Sequence, residues 1–312
     1  MKLALLFSGQ GSQKKGMGKD IYEAFPAARA AFDSEAAGFD IKQVCFESPD
    51  GSLDRTRFQQ AALGAFGAAV TAVLYSNGVQ ADAACGLSLG EYTALHAAGV
   101  LSTDVLLDLL SFRGRVMEET TAGTDSKMSA VLGLGKDLVQ RAAAEASEKT
   151  GGTAVCANYN CPSQIVIGGT RDAVTHAEAL CMEFGAKRTV PLNVSGPFHT
   201  PLMQEASVLL GEKLRQTDFK PFRIPVIFNT DAKASADTGR LASVLTEQVK
   251  SPVLFEQSIL ELRQAGIDTA VEIGAVSTLS SFVRKTAPEI KTYSADSAQS
   301  LHNILKTLGE LS

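Results

Sequence analysis

A change of rhythm constrains this chain more than any other feature. From Leu3 to Thr120 short apolar runs alternate with longer stretches of helical period: the runs at 3–7 and 82–86 predict strands, and 18–33, 58–76, 88–98 and 103–120 predict helices. A parallel strand buried on both faces reads as a continuous apolar run, and crossover helices cover it, so the alternation specifies an α/β sheet. From Lys127 the order becomes strand 128–134, helix 136–149, strands 153–159 and 163–168, helix 171–184 and strand 187–192. That βαββαβ succession is the ferredoxin-like pattern. The first texture then resumes, with strand 224–228, helices 239–249 and 255–265, strand 269–273 and a closing helix at 298–310. The expected organisation is therefore an α/β core of residues 1–125 and 195–312 with an inserted ferredoxin-like α+β subdomain at 126–194. Such an insertion leaves a cleft between the two units, where ligands usually bind.

Composition narrows the classes of function. With 45% hydrophobic and 20% charged residues among 312, the chain can bury a large core. The formal net charge is −5, and no Lys/Arg run follows a phosphate backbone, which argues against nucleic acid. Five cysteines, Cys45, Cys85, Cys156, Cys161 and Cys181, form no CxxC pair and no Cys/His metal cluster, and read as reduced thiols of a cytoplasmic protein. Cys161, before a proline, is expected in a loop with partial exposure. The run Leu3–Phe7 is shorter than the ~7–15 residues of a secretory signal core. No stretch is expected to cross a membrane.

The sharpest chemical signal is Gly86-Leu87-Ser88-Leu89-Gly90, with small apolar strand residues before it and a helix directly after. This is the setting of a nucleophile elbow: the serine occupies a strained turn, and the glycines let strand and helix approach without Cβ clashes. Because the turn opens a helix, the Leu89 N–H is free at the positive end of the dipole, where an oxyanion could form. The bland alternative is a serine that simply caps a helix. Glu91, in the first turn, reads as a dipole partner.

Four histidines exist to supply a base. His96, His176 and His302 fall on predicted helices and read as packed or surface residues. His199 lies in Ser195-Gly196-Pro197-Phe198-His199-Thr200-Pro201, a loop stiffened by glycine and two prolines where the insert rejoins the core, and is the candidate general base. On the helix 103–120, Arg113 falls within the apolar stripe of Leu106, Leu109, Leu110, Val116 and Met117, whereas Arg115 points away. A buried guanidinium needs an anion, either an internal carboxylate or a substrate carboxylate; the sequence alone leaves both open. The loop Ser8-Gly9-Gln10-Gly11-Ser12 follows the first strand, lacks the lysine of a phosphate loop, and offers the Gln10 N–H as a second oxyanion donor.

Taken together, Gly9-Gln10-Gly11-Ser12-Gln13, the elbow with Glu91-Tyr92, Phe112-Arg113-Gly114, Asn158-Tyr159-Asn160-Cys161-Pro162-Ser163-Gln164 and Gly196-Pro197-Phe198-His199 resemble malonyl-CoA:acyl carrier protein transacylases, in order and over essentially the whole chain. The resemblance implies an α/β-hydrolase-like core carrying the ferredoxin-like insert. It implies transfer of malonyl from malonyl-CoA to the phosphopantetheine thiol of acyl carrier protein through a malonyl-Ser88 ester, with His199 moving the proton. It further implies an oxyanion hole of the Gln10 and Leu89 amides, Arg113 on the malonyl carboxylate, Asn160 in substrate binding, and Gln248 holding His199 through its backbone carbonyl. No metal and no tightly bound cofactor are implied. An acidic carrier protein needs basic residues to land on, for which Lys14, Lys15, Lys187, Arg188 and Lys285 are candidates. Three positions depart from the usual pattern of the family: Leu87 in place of His, Ser8 in place of Pro, and Gly274-Ala275-Val276 in place of Gly-Pro-Gly.

Overall fold

The computed structural model describes residues 1–311. Its strands are β1 (Leu3–Phe7), β2 (Ala83–Gly86), β3 (Ser126–Leu132), β4 (Ala154–Cys161), β5 (Gln164–Thr170), β6 (Arg188–Pro191), β7 (Val226–Ile227), β8 (Ala234–Ser235), β9 (Thr269–Ile273) and β10 (Lys291–Ala295). Six of them form one sheet in the order β10-β9-β1-β2-β7-β8, parallel except for the short β8. β1 lies near the middle with all five residues buried, as its unbroken apolar sequence requires. The sheet is buried on both faces, one face packing with the long helices Thr56–Ser76 and Thr103–Glu119 and the other with Phe255–Gln264 and Leu279–Thr286.

The other four strands form a separate sheet, β4-β5-β3-β6, antiparallel throughout. With helices Lys136–Thr150 and Arg171–Glu183 it builds a core of its own around Val139, Ile167, Val174 and Cys181. The fold is thus an α/β parallel-sheet core carrying an antiparallel four-stranded subdomain with the βαββαβ order read from the sequence. The two sheets are tied together: the Tyr159 N–H donates to the Val253 carbonyl (2.8 Å) and the Val253 N–H to the Ala157 carbonyl (2.9 Å). These bonds fix the cleft between the two units.

Several elements differ from expectation. The helix expected over 18–33 breaks into Lys19–Ala24, a 3-10 turn at Pro26–Ala28 and Arg29–Phe32. Proline forces the preceding Phe25 into extended backbone (φ −122°, ψ 109°) and removes a donor. Cys161 is fully buried at the end of β4, not a loop residue with partial exposure. The five thiols are all free and buried. Helices Gln204–Arg215 and Leu279–Thr286 and strand β10 were not anticipated; β10 is an edge strand, Lys-Thr-Tyr-Ser-Ala, with no apolar run to announce it. Helix Thr56–Ser76 does have the length and composition of a membrane span, with a mean hydropathy of 1.3, contrary to the expectation of no such stretch. Its most apolar window is 83% buried inside the protein, so it is the core helix of the parallel sheet.

Candidate active site

The turn from β2 into helix Gly90–Ala97 holds Ser88 at φ 55°, a left-handed conformation that a serine adopts only under constraint. The glycines on either side make it possible. A Cβ on Gly86 would collide with the Gly90 backbone, and one on Gly90 with the Phe7 carbonyl oxygen. Strand, turn and helix therefore pack backbone against backbone, and the Ser88 side chain is left facing the cleft.

His199, 3% exposed, stands opposite, itself at φ 61°. Its Nε2 lies 2.7 Å from Ser88 Oγ and its Nδ1 lies 2.8 Å from the Gln248 carbonyl. A carbonyl can only accept, so Nδ1 carries the proton and Nε2 is the acceptor facing the serine hydroxyl. Burial, followed by the positive charge of Arg113, pushes the His199 pKa down to about 4, against the stabilising Gln248 carbonyl. The imidazole is therefore neutral at pH 7, the state a general base needs.

Arg113 is fully buried beneath the nucleophile. Its Nη1 donates to Gln60 Oε1 (2.7 Å), and its Nη2 to Gln248 Oε1 (3.0 Å) and Ser88 Oγ (3.2 Å). The guanidinium carbon lies 5.5 Å from the Tyr92 ring centroid, a cation–π contact. Its Nε has no partner, and among the described residues no carboxylate forms an ion pair with it. Neutral amides thus hold a cation whose pKa burial lowers, an arrangement with capacity left for an anion.

The cleft above these groups encloses about 260 Å³ between the two sheets. Gln10 and Gly9 line it from the loop after β1, Asn160 from β4, and Leu87 and Phe282 close its apolar side. The Gln10 side chain is tied to Thr56 Oγ1 (3.2 Å), whereas the backbone amides of Gln10 and Leu89 make no hydrogen bond among the described residues. Asn160 is 5% exposed, and its Oδ1 is an unpaired buried acceptor in the cleft wall. Ser88, His199, Arg113 and Gln248 thus form one connected cluster, with Gln10 and Asn160 in the cleft wall beside it, whereas Leu89 follows Ser88 in the turn with its side chain buried. The other histidines lie elsewhere: His96 Nδ1 bonds the Leu101 carbonyl, and His302 stacks on Phe25.

Two residues around this cluster, Gln60 and Asn229, escaped the sequence reading, as did the part played by the Gln248 side chain. Gln60 and the Gln248 side chain clamp Arg113, and Gln248 Nε2 also donates to the Ser88 carbonyl (2.8 Å). A glutamine inside the apolar face of a long helix was the available signal for Gln60. Asn229, fully buried just beyond β7, bonds the elbow itself. It sits past the carboxyl end of a parallel strand, the position at which open α/β sheets gather functional groups.

A serine and a histidine at hydrogen-bond distance in an α/β core suit acyl chemistry, and residues 4–304 match the family described as Acyl transferase domain. The "Malonyl CoA-acyl carrier protein transacylase" of Bacillus subtilis (strain 168) is 39% identical over 311 residues, 99% of this chain and 98% of that protein. The crystal structure of MCAT from Streptococcus pneumoniae superposes with a TM-score of 0.93 at 40% identity, covering 98% of this chain and all (100%) of the other. A malonyl-transacylase solved in complex with its type II PKS acyl-carrier protein superposes with a TM-score of 0.95 at 30% identity, covering 98% and 100%. The chain belongs to the malonyl CoA-acyl carrier protein transacylase family.

Proposed function

We propose that the chain transfers malonyl from malonyl-CoA to the phosphopantetheine thiol of acyl carrier protein by a ping-pong cycle through a malonyl ester of Ser88. The single observation that carries this reading is the 2.7 Å contact of Ser88 Oγ with His199 Nε2, directly above the buried Arg113.

In the first half-reaction Ser88 Oγ attacks the thioester carbonyl carbon while His199 Nε2 takes the hydroxyl proton. The Gln10 and Leu89 amides, the latter at a helix N-terminus, donate to the resulting oxyanion. The C–S bond breaks, His199 returns the proton to the departing coenzyme A sulfur, and the ester remains. In the second half-reaction the pantetheine thiol gives its proton to His199 and attacks the ester carbonyl. Ser88 Oγ then leaves and recovers that proton. Arg113 receives the malonyl carboxylate in a bidentate pair and restricts the acyl group to carboxylated units. Gln248 orients the imidazole through its carbonyl, which replaces the acidic member of a triad. Asn160 presents an unpaired oxygen to the amide-bearing pantetheine arm.

On this reading residues 126–194 are a subdomain inserted into a core of 1–125 and 195–312. Lys14, Lys15, Lys187, Arg188 and Lys285 are all exposed, as landing residues for an acidic carrier protein would be. Five buried thiols without a disulfide suit a cytoplasmic location. A pulse of labelled malonyl-CoA followed by a chase with holo-acyl carrier protein tests the cycle. Label should accumulate on the enzyme and pass to the carrier protein; rapid release as free malonate without transfer would identify a hydrolase instead.

A further inference from the structure

Glu91 reads from sequence as a first-turn carboxylate serving the helix dipole, which would put it at the surface. It is instead fully buried and turned towards the loop after β7. Its Oε2 accepts the Asn229 N–H at 2.5 Å. The Asn229 side chain then reaches both sides of the elbow: Oδ1 accepts the Ser88 N–H (2.8 Å), and Nδ2 donates to the Gly86 carbonyl (2.7 Å). Neither residue lines the cleft, so neither touches substrate.

A serine at φ 55° is strained and keeps that conformation only where its surroundings over-determine it. Helix geometry and the two glycines permit the turn. The bonds from Asn229 specify it, because they satisfy the donor and the acceptor that flank Leu87. Asn229 follows a strand of two residues, too short to fix the loop beyond it, and the Glu91 carboxyl supplies the missing anchor. Burial raises the pKa of that carboxyl to about 8, against the Asn229 N–H and the Arg113 charge, which keeps it an uncharged acceptor at neutral pH. An amide of the same shape can therefore take its place.

We propose that Glu91 and Asn229 form a positioning pair that fixes the backbone of Ser88 through three hydrogen bonds and thereby sets the rate of acylation without contacting substrate. The proposal rests on Ser88 being the nucleophile.

The test uses the full-length enzyme and compares wild type with Glu91→Ala, Glu91→Gln and Asn229→Ala. It measures acylation by malonyl-CoA, labelling of Ser88 by a small fluorophosphonate, and thermal stability. Glu91→Ala and Asn229→Ala should each lower kcat for acylation by ~10–100-fold, with KM for malonyl-CoA within about threefold of wild type, as small misplacements of a reacting atom do. Fluorophosphonate labelling should fall in parallel. Glu91→Gln should recover to within about threefold, since its amide oxygen still accepts the Asn229 N–H. A folded Asn229→Ala enzyme with wild-type kcat overturns the proposal. So does a Glu91→Gln variant as slow as Glu91→Ala, or a loss confined to KM. Should Glu91→Ala fail to fold, Asn229→Ala and Glu91→Gln decide the matter alone. A wild-type enzyme labelled at some residue other than Ser88 overturns the nucleophile assignment itself, which is a distinct result.

Discussion

The parallel and antiparallel sheets face one cleft and bring different things to it. From the core come the two side-chain groups within hydrogen-bond reach of Ser88 Oγ among the described residues, His199 Nε2 and Arg113 Nη2. From the smaller sheet come wall residues, chiefly Met128, Val166 and Asn160. Reacting groups in the core are held by bonds from distant parts of the chain, as His199 is by Gln248 and Arg113 by Gln60. The smaller sheet is held by its own ladder, with one face on its own helices and the other packed against the main core. Bond making and substrate shape are thus separated, and substitutions on the two sides should have effects of different size and kind.

The largest effect is expected at the nucleophile: Ser88→Ala should lower acyl transfer by at least ~10⁴-fold and leave the enzyme unlabelled by malonyl-CoA, measured by single-turnover quench. His199→Ala should lower kcat by ~10²–10⁴-fold with little change in KM. Arg113→Ala should lower kcat/KM for malonyl-CoA by ~10²–10³-fold, the cost of leaving a carboxylate unpaired in a buried site, while acetyl-CoA is used as well as before or better. Equal loss with both substrates would make Arg113 structural and erase the distinction between the sheets.

A gentler probe is pH. Because burial and then the Arg113 charge hold His199 near pKa 4, it remains a neutral base as the pH is lowered from 7 towards 5, and the acid limb of acylation should have its midpoint at about 4, well below the ordinary imidazole value. A limb near 6.5 would mean that the imidazole is solvated during the reaction. Smallest of all, Val166→Ala in the antiparallel wall should raise KM for malonyl-CoA by less than about fivefold with kcat nearly unchanged, since it removes only apolar contact.

The same division explains what could be read from the chain beforehand. Local chemistry was legible: Gly86, Ser88 and Gly90 specify a turn by their sterics, helical phase alone turns Arg113 inward, and glycine with two prolines marks the His199 loop. The βαββαβ order was legible because its two helices and strands β3, β4 and β5 all send apolar residues into one local core. Partnerships across the chain were not. Glu91 and Asn229 are 138 positions apart, and Arg113 and Gln60 are 53 apart, so no local pattern announces either bond. Polar residues in buried positions were the available clue, and a first-turn glutamate has an ordinary explanation that hid its burial. Edge strand β10 stayed silent for the opposite reason, having too little buried surface to impose a pattern.

The central claim is a covalent one, and peptide mapping by mass spectrometry after a brief exposure to malonyl-CoA tests it most directly. One malonyl group is expected on the peptide containing Ser88, absent from Ser88→Ala and removed by holo-acyl carrier protein. A folded enzyme that transfers malonyl while Ser88 stays unmodified, or that carries the group on another residue, would contradict it.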